Sequence, residues 1–185
     1  MTEKYKKFSD LIFYQIYPRS FYDSNNDGTG DLRGITEKIP YLVDLGINAV
    51  WLSPHYQSPN NDGGYDISDY RAVQKEFGTM EDFKEMLAEF HKNGIKVIVD
   101  FVPNHTSTEH FWFKEARSSR TSPYRDFYFW ADEPLNDWKA CCESAWKYDA
   151  VAGQYYLHCF DVTQADLNWE NPRVREEMQD VVDFW

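Results

Sequence analysis

The sequence predicts an α/β fold in which helices cover a parallel sheet. Three observations lead to it: short β-rich apolar runs at residues 13–18, 47–52 and 95–102, segments of helical periodicity between these runs, and a glycine at the end of each helical segment. Strands that are apolar almost throughout are typical of parallel sheets, because helices cover both faces. The predicted order is therefore βαβαβ.

Each connecting segment carries its own helix signal. The first has apolar residues near a 3.6-residue spacing and then a glycine at the position of a helix C-cap. These residues are Ile35, Ile39, Leu42, Val43, Leu45 and Gly46. The second opens at Thr79 with a capping-box pattern and closes at Gly94. Residues 171–185, with Pro172 near the start and apolar residues at helical spacing, predict a third helix.

The alternation of strands and helices stops after the third strand. Residues 105–168 are rich in aromatic residues and turn formers and show no clear period. Such a stretch is too long for an ordinary connection, which predicts a small inserted subdomain. The sequence thus divides into residues 1–104 with three strands and two helices, the insertion 105–168, and the third helix at 169–185, where the chain ends before a fourth strand.

Composition narrows the functional classes. The 185 residues include 31 acidic and 19 basic ones, and the formal net charge of −12 disfavours nucleic acid and anionic membranes as partners. The odd set Cys141, Cys142 and Cys159 has no C-x-x-C spacing and favours reduced thiols. Because neither a membrane-spanning run nor a signal core is present, we expect a cytoplasmic protein.

An acidic loop follows the first predicted strand. Side-chain oxygens recur at alternate positions, and a backbone carbonyl can fill the one gap, as hard cations such as Ca²⁺ prefer. The side chains are those of Asp23, Asn25, Asp27 and Asp31, and the carbonyl is that of Thr29. The spacing disfavours an EF-hand, because its twelfth position is Gly34 instead of glutamate and no helix precedes the loop. A solvated turn remains the alternative, since Asp, Asn and Gly are ordinary turn formers.

Polar residues also follow the predicted strands, at the end where parallel α/β folds bind ligands. Asp62 and Tyr65, separated by two glycines, offer a carboxylate beside an aromatic face, which suits a sugar ring; a plain turn is the alternative. His105 can donate to a substrate oxygen or act as a structural histidine. Asp100 lies inside the third apolar run and, if buried, requires an arginine or several donors.

Seven motifs occur in a fixed order along the chain: YQIYPRSF at 14–21, the acidic loop at 23–31, GYDISDY at 64–70, FGTM at 77–80, DFVPNHTS at 100–107, SAWKYD at 144–149 and QADLNW at 164–169. Taken in this order, they closely resemble the motifs of glycoside hydrolase family 13, the α-amylase family. Within the family, the resemblance is to the group of oligo-1,6-glucosidase, α-glucosidase and dextran glucosidase.

The resemblance implies a (β/α)₈ barrel with a small domain inserted after the third strand. It implies that the acidic loop holds a structural Ca²⁺ ion. It also implies substrate-binding roles for five residues. Asp62 contacts hydroxyls of the terminal glucose of an α-linked gluco-oligosaccharide, Tyr65 stacks on that ring, His105 hydrogen-bonds it, and Phe160 and Gln164 border the site.

The family mechanism is retaining hydrolysis by an Asp nucleophile and a Glu acid/base, about 5 to 5.5 Å apart. Neither lies in this chain, because the nucleophile motif G-F-R-x-D is expected just beyond Trp185. The resemblance therefore implies no catalytic residue here and an inactive isolated fragment, whose open sheet edges favour self-association. Ala165 replaces the usual proline and Gly63 a frequent asparagine, so the linkage preference stays open.

Two other classes of function compete with an enzyme. One is a non-catalytic relative, such as the heavy subunit of amino-acid transporters, which carries a transmembrane helix before the barrel. The other is an independent calcium-binding or sugar-binding module. Binding of Ca²⁺ and isomaltose to the isolated chain distinguishes such a module from a piece that cannot fold alone.

Overall fold

The computed structural model describes residues 7–141 and 143–185. The chain forms two compact units, one of residues up to His55 with Val73–Phe101, and the other of Tyr56–Ala72 with Val102–Trp185. The predicted domain boundaries at residues 104 and 168 are not tested by these units and stay a prediction. No helix of the described ranges is both long and apolar enough to cross a membrane.

Short strands and helices alternate along the chain. The helices are α1 (Pro18–Phe21), α2 (Leu32–Glu37), α3 (Ile39–Asp44), α4 (Met80–Lys92), α5 (Phe111–Ser118) and α6 (Pro172–Phe184). The strands are β1 (Phe13–Ile16), β2 (Ala49–Leu52), β3 (Tyr56–Gln57), β4 (Asp69–Val73), β5 (Lys96–Val99), β6 (His105–Ser107), β7 (Trp130–Ala131), β8 (Lys139–Ala140), β9 (Glu143–Ser144), β10 (Trp146–Asp149), β11 (Gln154–Leu157) and β12 (Gln164–Asp166). Single turns of 3₁₀ helix cover Phe8–Asp10 and Arg125–Phe127.

The predicted parallel sheet lies in the first unit. Strands β1, β2 and β5 pair in parallel in the order β1-β2-β5, so that Ile16, Leu52 and Val99 share one row. The β1 and β5 runs are shorter than expected, since Pro18 already begins α1 and the third strand ends at Val99.

The two faces of the sheet differ in exposure. Val50 is fully buried, but Phe13, Trp51 and Ile98, which alternate to the other face, are 38, 38 and 45 % exposed. The Phe8 ring contacts that of Phe13, with centroids 5.5 Å apart. The expectation of strands buried on both sides was therefore wrong for these three side chains.

The first predicted helix is divided into two. Helix α2 ends at Glu37, and α3 begins at Ile39 with Pro40 in its first turn. A proline inside a helix has no N–H to donate and crowds the preceding turn, so one continuous helix over this segment is excluded. Gly46 follows α3 at φ +82°, the left-handed conformation expected of a helix C-cap.

The predictions for α4 and α6 are confirmed. Thr79 accepts a hydrogen bond from the Asp82 N–H while the Asp82 carboxylate accepts one from the Thr79 N–H, which completes a capping box before α4. Asn171 accepts from the Arg173 N–H and caps α6. Both helices bury a single apolar face.

Asp100 does not lie inside a strand. It follows β5, is half-buried, and its carboxylate accepts a hydrogen bond from the Trp51 indole Nε1–H at 3.2 Å. The expected position of Asp100 inside the third strand was wrong, because β5 ends one residue earlier, at Val99.

The second unit is built from small antiparallel pairs around an aromatic core. β6 pairs with β12, β11 lies between β10 and β7, and β8 pairs with β9. The Phe113 ring contacts those of Tyr128 and Tyr156 with centroids 5.2 and 5.1 Å apart. The Tyr70 hydroxyl lies 2.8 and 2.7 Å from the carbonyls of Val102 and His105, so the core also positions the start of β6.

Candidate active site

The pairing of β6 with β12 brings predicted site residues together in the second unit. In this register Gln164 lies opposite Ser107, and Asp166 lies opposite His105. Residues 57 and 61 positions apart in the sequence thus become neighbours. The segment that carries Asp62 and Tyr65 belongs to the same unit.

Asp66 organises the segment that carries Asp62. Its carboxylate is 0 % exposed and accepts hydrogen bonds from the Ser58 hydroxyl at 2.8 Å, the Asn61 N–H at 3.0 Å and the Asp62 N–H at 3.2 Å. The Tyr65 N–H also donates to the Asp62 carbonyl at 2.9 Å. Four hydrogen bonds thus hold this turn together.

Gln164 orients the carboxylate of Asp62. The Gln164 Nε2–H donates to Asp62 Oδ2 at 2.9 Å across 102 residues of sequence. Gln164 is itself fully buried, and its Oε1 accepts from the Asp161 N–H at 2.8 Å. Asp62 is exposed, so its carboxylate can still accept hydrogen bonds from a ligand.

His105 is buried and engaged at both ring nitrogens. Nε2 lies 3.1 Å from the Tyr65 carbonyl, which can only accept, so Nε2 carries a proton. The Asn104 amide donates to Nδ1 at 3.3 Å, which assigns the neutral tautomer. Burial lowers the pKa of His105, although the Tyr65 carbonyl and the carboxylates of Asp166 and Asp62 oppose this shift.

Phe160 and Tyr65 provide aromatic surface near His105. The Phe160 ring is tilted against the imidazole with centroids 5.2 Å apart, and the residue is 51 % exposed. Tyr65 is half-buried and packs against the aromatic core of the unit. The structure thus brings all five residues predicted to bind substrate into one unit, and their roles in binding sugar stay a prediction.

Three polar residues of this network were not predicted as site residues. Asp166 accepts from the Asn104 amide at 3.1 Å and from the Cys159 N–H at 3.0 Å, and thereby fixes the amide that faces His105. Asp66 shapes the turn before Tyr65. Asp66 and Asp166 could have been recognised from their sequence context. A carboxylate within a short apolar or glycine-rich motif is costly to bury unless it accepts several hydrogen bonds.

Cys159 lies beside this network and is a free, exposed cysteine. Cys141, elsewhere in the unit, is also free and exposed. Although Cys159 is exposed overall, partial desolvation of its thiol, and then the hydrogen bond and negative charge of Asp166, raise the pKa of Cys159 to about 12. The thiol is therefore protonated and a poor nucleophile at neutral pH. The third predicted thiol, Cys142, lies outside the described residues.

The acidic loop lies in the first unit and is stabilised by its own backbone. The Asp23 carboxylate accepts from the N–H groups of Asn25, Asn26 and Gly28 at 3.1, 2.7 and 2.8 Å. These hydrogen bonds, led by that of Gly28, lower the pKa of Asp23. The Asn25 amide oxygen accepts from the Asp27 N–H at 2.8 Å.

The last acidic residue of the loop has a different position. Asp31 is buried and caps α2 by accepting from the Gly34 N–H, while its other oxygen accepts from the N–H and hydroxyl of Ser24. The loop must also lie close to other backbone here, since a Cβ on Gly30 would lie 2.2 Å from the Pro18 carbonyl oxygen. Glycine is therefore required at that position.

The oxygen donors of the acidic loop suit Ca²⁺, but the acidic side chains do not converge on one metal position. The carboxylate, amide and carbonyl oxygens of the loop are the ligands that Ca²⁺ prefers. Across residues 7–141 and 143–185, however, no three acidic, His or Cys side chains are grouped closely enough to hold a metal ion.

The chain matches the family model described as alpha amylase, catalytic domain, over residues 15–185. It is 56 % identical over 184 residues to an oligo-1,6-glucosidase of Parageobacillus thermoglucosidasius, which covers 96 % of this chain and 33 % of that protein. It is 52 % identical to a trehalose-6-phosphate hydrolase of Bacillus subtilis, over all of this chain and 34 % of that protein. The chain thus spans about a third of the length of these relatives.

Solved structures give the same result. The crystal structure of trehalose-6-phosphate hydrolase from Bacillus licheniformis superimposes with a TM-score of 0.92 at 55 % identity, over 95 % of this chain and 33 % of that one. Trehalulose synthase MutB from Pseudomonas mesoacidophila gives a TM-score of 0.92 at 54 % identity, over 95 % and 32 % of the two chains. The predicted fold class, the first part of a (β/α)₈ barrel with an insertion after its third strand, is confirmed. The chain belongs to the alpha-amylase family, as part of its catalytic domain.

Proposed function

We propose that this chain supplies the glucose-binding part of the active site of an α-glucosidase-type glycoside hydrolase. The proposed substrates are short α-glucans, cleaved with retention as by an oligo-1,6-glucosidase or a maltase. The relatives support this class, since those at 56 and 52 % identity are named oligo-1,6-glucosidase and trehalose-6-phosphate hydrolase. The observation that carries the proposal is the Gln164–Asp62 hydrogen bond, which orients an exposed carboxylate whose charge acts on the buried His105.

In this proposal Asp62 accepts hydrogen bonds from hydroxyl groups of the terminal glucose. Charge-assisted hydrogen bonds of this kind are about twice as strong as neutral ones. Tyr65 offers its ring to the apolar face of the sugar, and Phe160 borders the same space. Gln164 takes no part in the chemistry but prevents the carboxylate from rotating away.

His105 contributes as a neutral donor. Its Nε2–H donates to the Tyr65 carbonyl, and in this proposal it also donates to a sugar oxygen. Retaining glycosidases develop positive charge on the sugar in the transition state. A histidine kept neutral by burial does not repel that charge, whereas the nearby Asp62 carboxylate stabilises it.

The catalytic pair is proposed to come from outside these 185 residues. The chain contains no G-F-R-x-D motif, and none of the residues grouped around Asp62 and His105 is assigned as nucleophile or acid/base. The chain alone is therefore expected to bind sugar without cleaving it. Hydrolysis of p-nitrophenyl α-glucoside by a clean preparation would contradict this assignment.

Calorimetric titration of the 185-residue chain with isomaltose and maltose tests the binding part of the proposal. We expect Asp62→Asn and Gln164→Ala each to weaken binding about tenfold, or about 1.4 kcal/mol. Asp137→Asn, an exposed aspartate of the same unit, is the matched control and should leave affinity unchanged. Equal affinity of the native chain and Asp62→Asn would remove Asp62 from the site.

We also propose that the acidic loop binds a structural Ca²⁺ ion through Asp23, Asn25, Asp27, the carbonyl of Thr29 and Asp31. Support comes from the donor chemistry and from the lowered pKa of Asp23, which keeps this ligand ionised. Thermal unfolding of the chain in Ca²⁺ against chelator should show a rise in melting temperature that Asp27→Ala abolishes. An equal rise with Mg²⁺, or none with Ca²⁺, would contradict the site.

The proposal places the protein in the cytoplasm, in agreement with the free exposed Cys141 and Cys159. Cell fractionation tests this placement. We further propose that the isolated chain self-associates, because among the described residues β1 and β5 are sheet edges and Phe13, Trp51 and Ile98 are partly exposed on one face of the sheet. A single monomeric boundary in sedimentation at micromolar concentration would contradict self-association.

A further inference from the structure

The unit of Tyr56–Ala72 and Val102–Trp185 contains a cavity that is separate from the residues proposed to bind glucose. It has a volume of about 330 Å³ and lies between the start of β4, the first turn of α5 and one face of α6. We call it the Trp112 cavity, after the buried indole in its wall. None of Asp62, Tyr65, His105, Phe160 or Gln164 lines it.

His110 brings a buried polar group to this cavity. The residue is 6 % exposed, and its Nδ1 accepts from the Trp112 N–H at 3.1 Å, which caps α5. Burial lowers the pKa of His110 to about 3, so the ring is neutral at physiological pH. Since Nδ1 is an acceptor, the proton is on Nε2, which has no acceptor within the described residues. A donor is thus available from the wall of the cavity.

Aromatic rings form the apolar part of the wall. Phe111 is 53 % exposed, and its ring meets that of Tyr124 edge to face with centroids 4.9 Å apart. Trp112 contacts the His110 ring at 4.4 Å. An exposed aromatic ring supported by a second one is the surface on which the C–H face of a sugar ring packs.

Charged side chains of both signs complete the lining. Asp69 and Glu177 offer carboxylate acceptors, and Arg71 offers a guanidinium whose nearest acidic partner, Asp180, lies 3.9 Å away on the exposed surface. Two carboxylates disfavour an anionic ligand, and the described residues contain no acidic cluster that would hold a cation. A neutral ligand with many hydroxyl groups uses all of these donors and acceptors.

We propose that the Trp112 cavity is an accessory binding site for a neutral glucosyl unit of an α-glucan. A site of this kind would hold part of a substrate, or a second sugar molecule, apart from the residues proposed to contact the cleaved glucose. Only the identity of the sugar rests on the proposed function; the presence of a site for a neutral polyhydroxylated ligand does not.

Two-dimensional NMR of the 185-residue chain with maltose tests both sites at once. The Trp112 indole N–H and the Phe111 amide report on the cavity, and the His105 amide reports on the candidate active site. In the Asp62→Asn chain we expect maltose still to shift the Trp112 and Phe111 signals. Glu177→Gln and Phe111→Ala should each weaken those shifts at least fivefold in apparent affinity.

Glu176→Gln is the matched control, because Glu176 precedes Glu177 on α6 and does not line the cavity. It should leave the Trp112 response unchanged. Maltose that shifts the His105 signal alone, or Trp112 shifts undiminished in both cavity variants, would overturn the accessory site. Absence of the His105 response with the Trp112 response retained would overturn the proposed function only, and absence of both would overturn the two together.

Discussion

The acidic loop at residues 23–31 and the network around Asp62 use carboxylates in opposite ways. In the exposed loop, Asp23 and Asp27 accept hydrogen bonds from N–H groups two to five residues further along the chain. In the network, Gln164 reaches Asp62 across 102 residues, and Asn104 reaches Asp166 across 62. The loop forms its hydrogen bonds locally, whereas the network exists only in the folded second unit.

This difference predicts that carboxylates of the network matter more for stability than those of the loop. The largest effect is expected at Asp66. Asp66→Ala removes a fully buried acceptor from the Ser58 hydroxyl and two backbone N–H groups, and should cost about 3 kcal/mol of unfolding free energy in urea. Asp66→Asn keeps one acceptor oxygen and should cost less. If Asp66→Ala lost less unfolding free energy than any variant of the acidic loop, the expected difference between network and loop would be contradicted.

Acid should destabilise the second unit through His110. Its pKa is about 3 in the fold and about 6.5 in the unfolded chain, so the unfolded state binds more protons below pH 6.5. Stability is therefore complete above pH 6.5 and falls as the pH decreases, by about 2 kcal/mol at pH 5.

Urea unfolding at pH 7.5 and pH 5 checks this value. His110→Asn, which retains a capping side chain, should flatten the profile, although His55 of the first unit, whose pKa burial also lowers to about 3, retains part of the slope. His91→Asn on the exposed side of α4 should change nothing. If the pH dependence of stability of His110→Asn equals that of the native chain, burial of His110 does not cause the loss of stability in acid.

Asp31 is the one buried carboxylate of the acidic loop and sharpens the comparison. Asp31→Ala removes the cap of α2 and the acceptor of Ser24, so we expect a loss of about 1 kcal/mol in chelator. Asp31→Asn can still cap the helix and should lose less. Urea midpoints of the two variants, measured together, decide between a capping role and a general effect of charge.

The smallest effect is expected at Asp27. Its carboxylate is exposed and accepts from the Thr29 N–H only two residues away, so Asp27→Ala should leave the urea midpoint unchanged in chelator. With Ca²⁺ present, the same variant should lose the stabilisation that the native chain gains. A large loss in chelator would mean that the loop is structural without the ion.

The sequence predicted those features whose causes are local. The capping box of Thr79 and Asp82, the end of α4 just before Gly94 and the cap of α6 at Asn171 are each determined within a few residues. The break between α2 and α3 could also have been predicted, because Pro40 alone forbids a continuous helix.

The contacts of the site could not be derived in this way. No period or spacing relates Gln164 to Asp62, and these two residues were brought together at the sequence level only by family resemblance. Asp166 and Asn104 were missed for the same reason, since a buried carboxylate and its amide partner appear in a sequence as two unrelated polar residues. The exposure of Phe13, Trp51 and Ile98 on one face of the sheet was missed because strand composition cannot show which face is covered.

The hydrogen bond between Gln164 and Asp62 also limits how the insertion can be exchanged. In a chimera, residues 105–168 would come from another family member. The side chain at position 164 would then come from that protein, whereas Asp62 would remain from this chain. Substitutions at 62 and 164 should therefore covary among relatives. A chimera should recover sugar binding only when both positions come from the same parent.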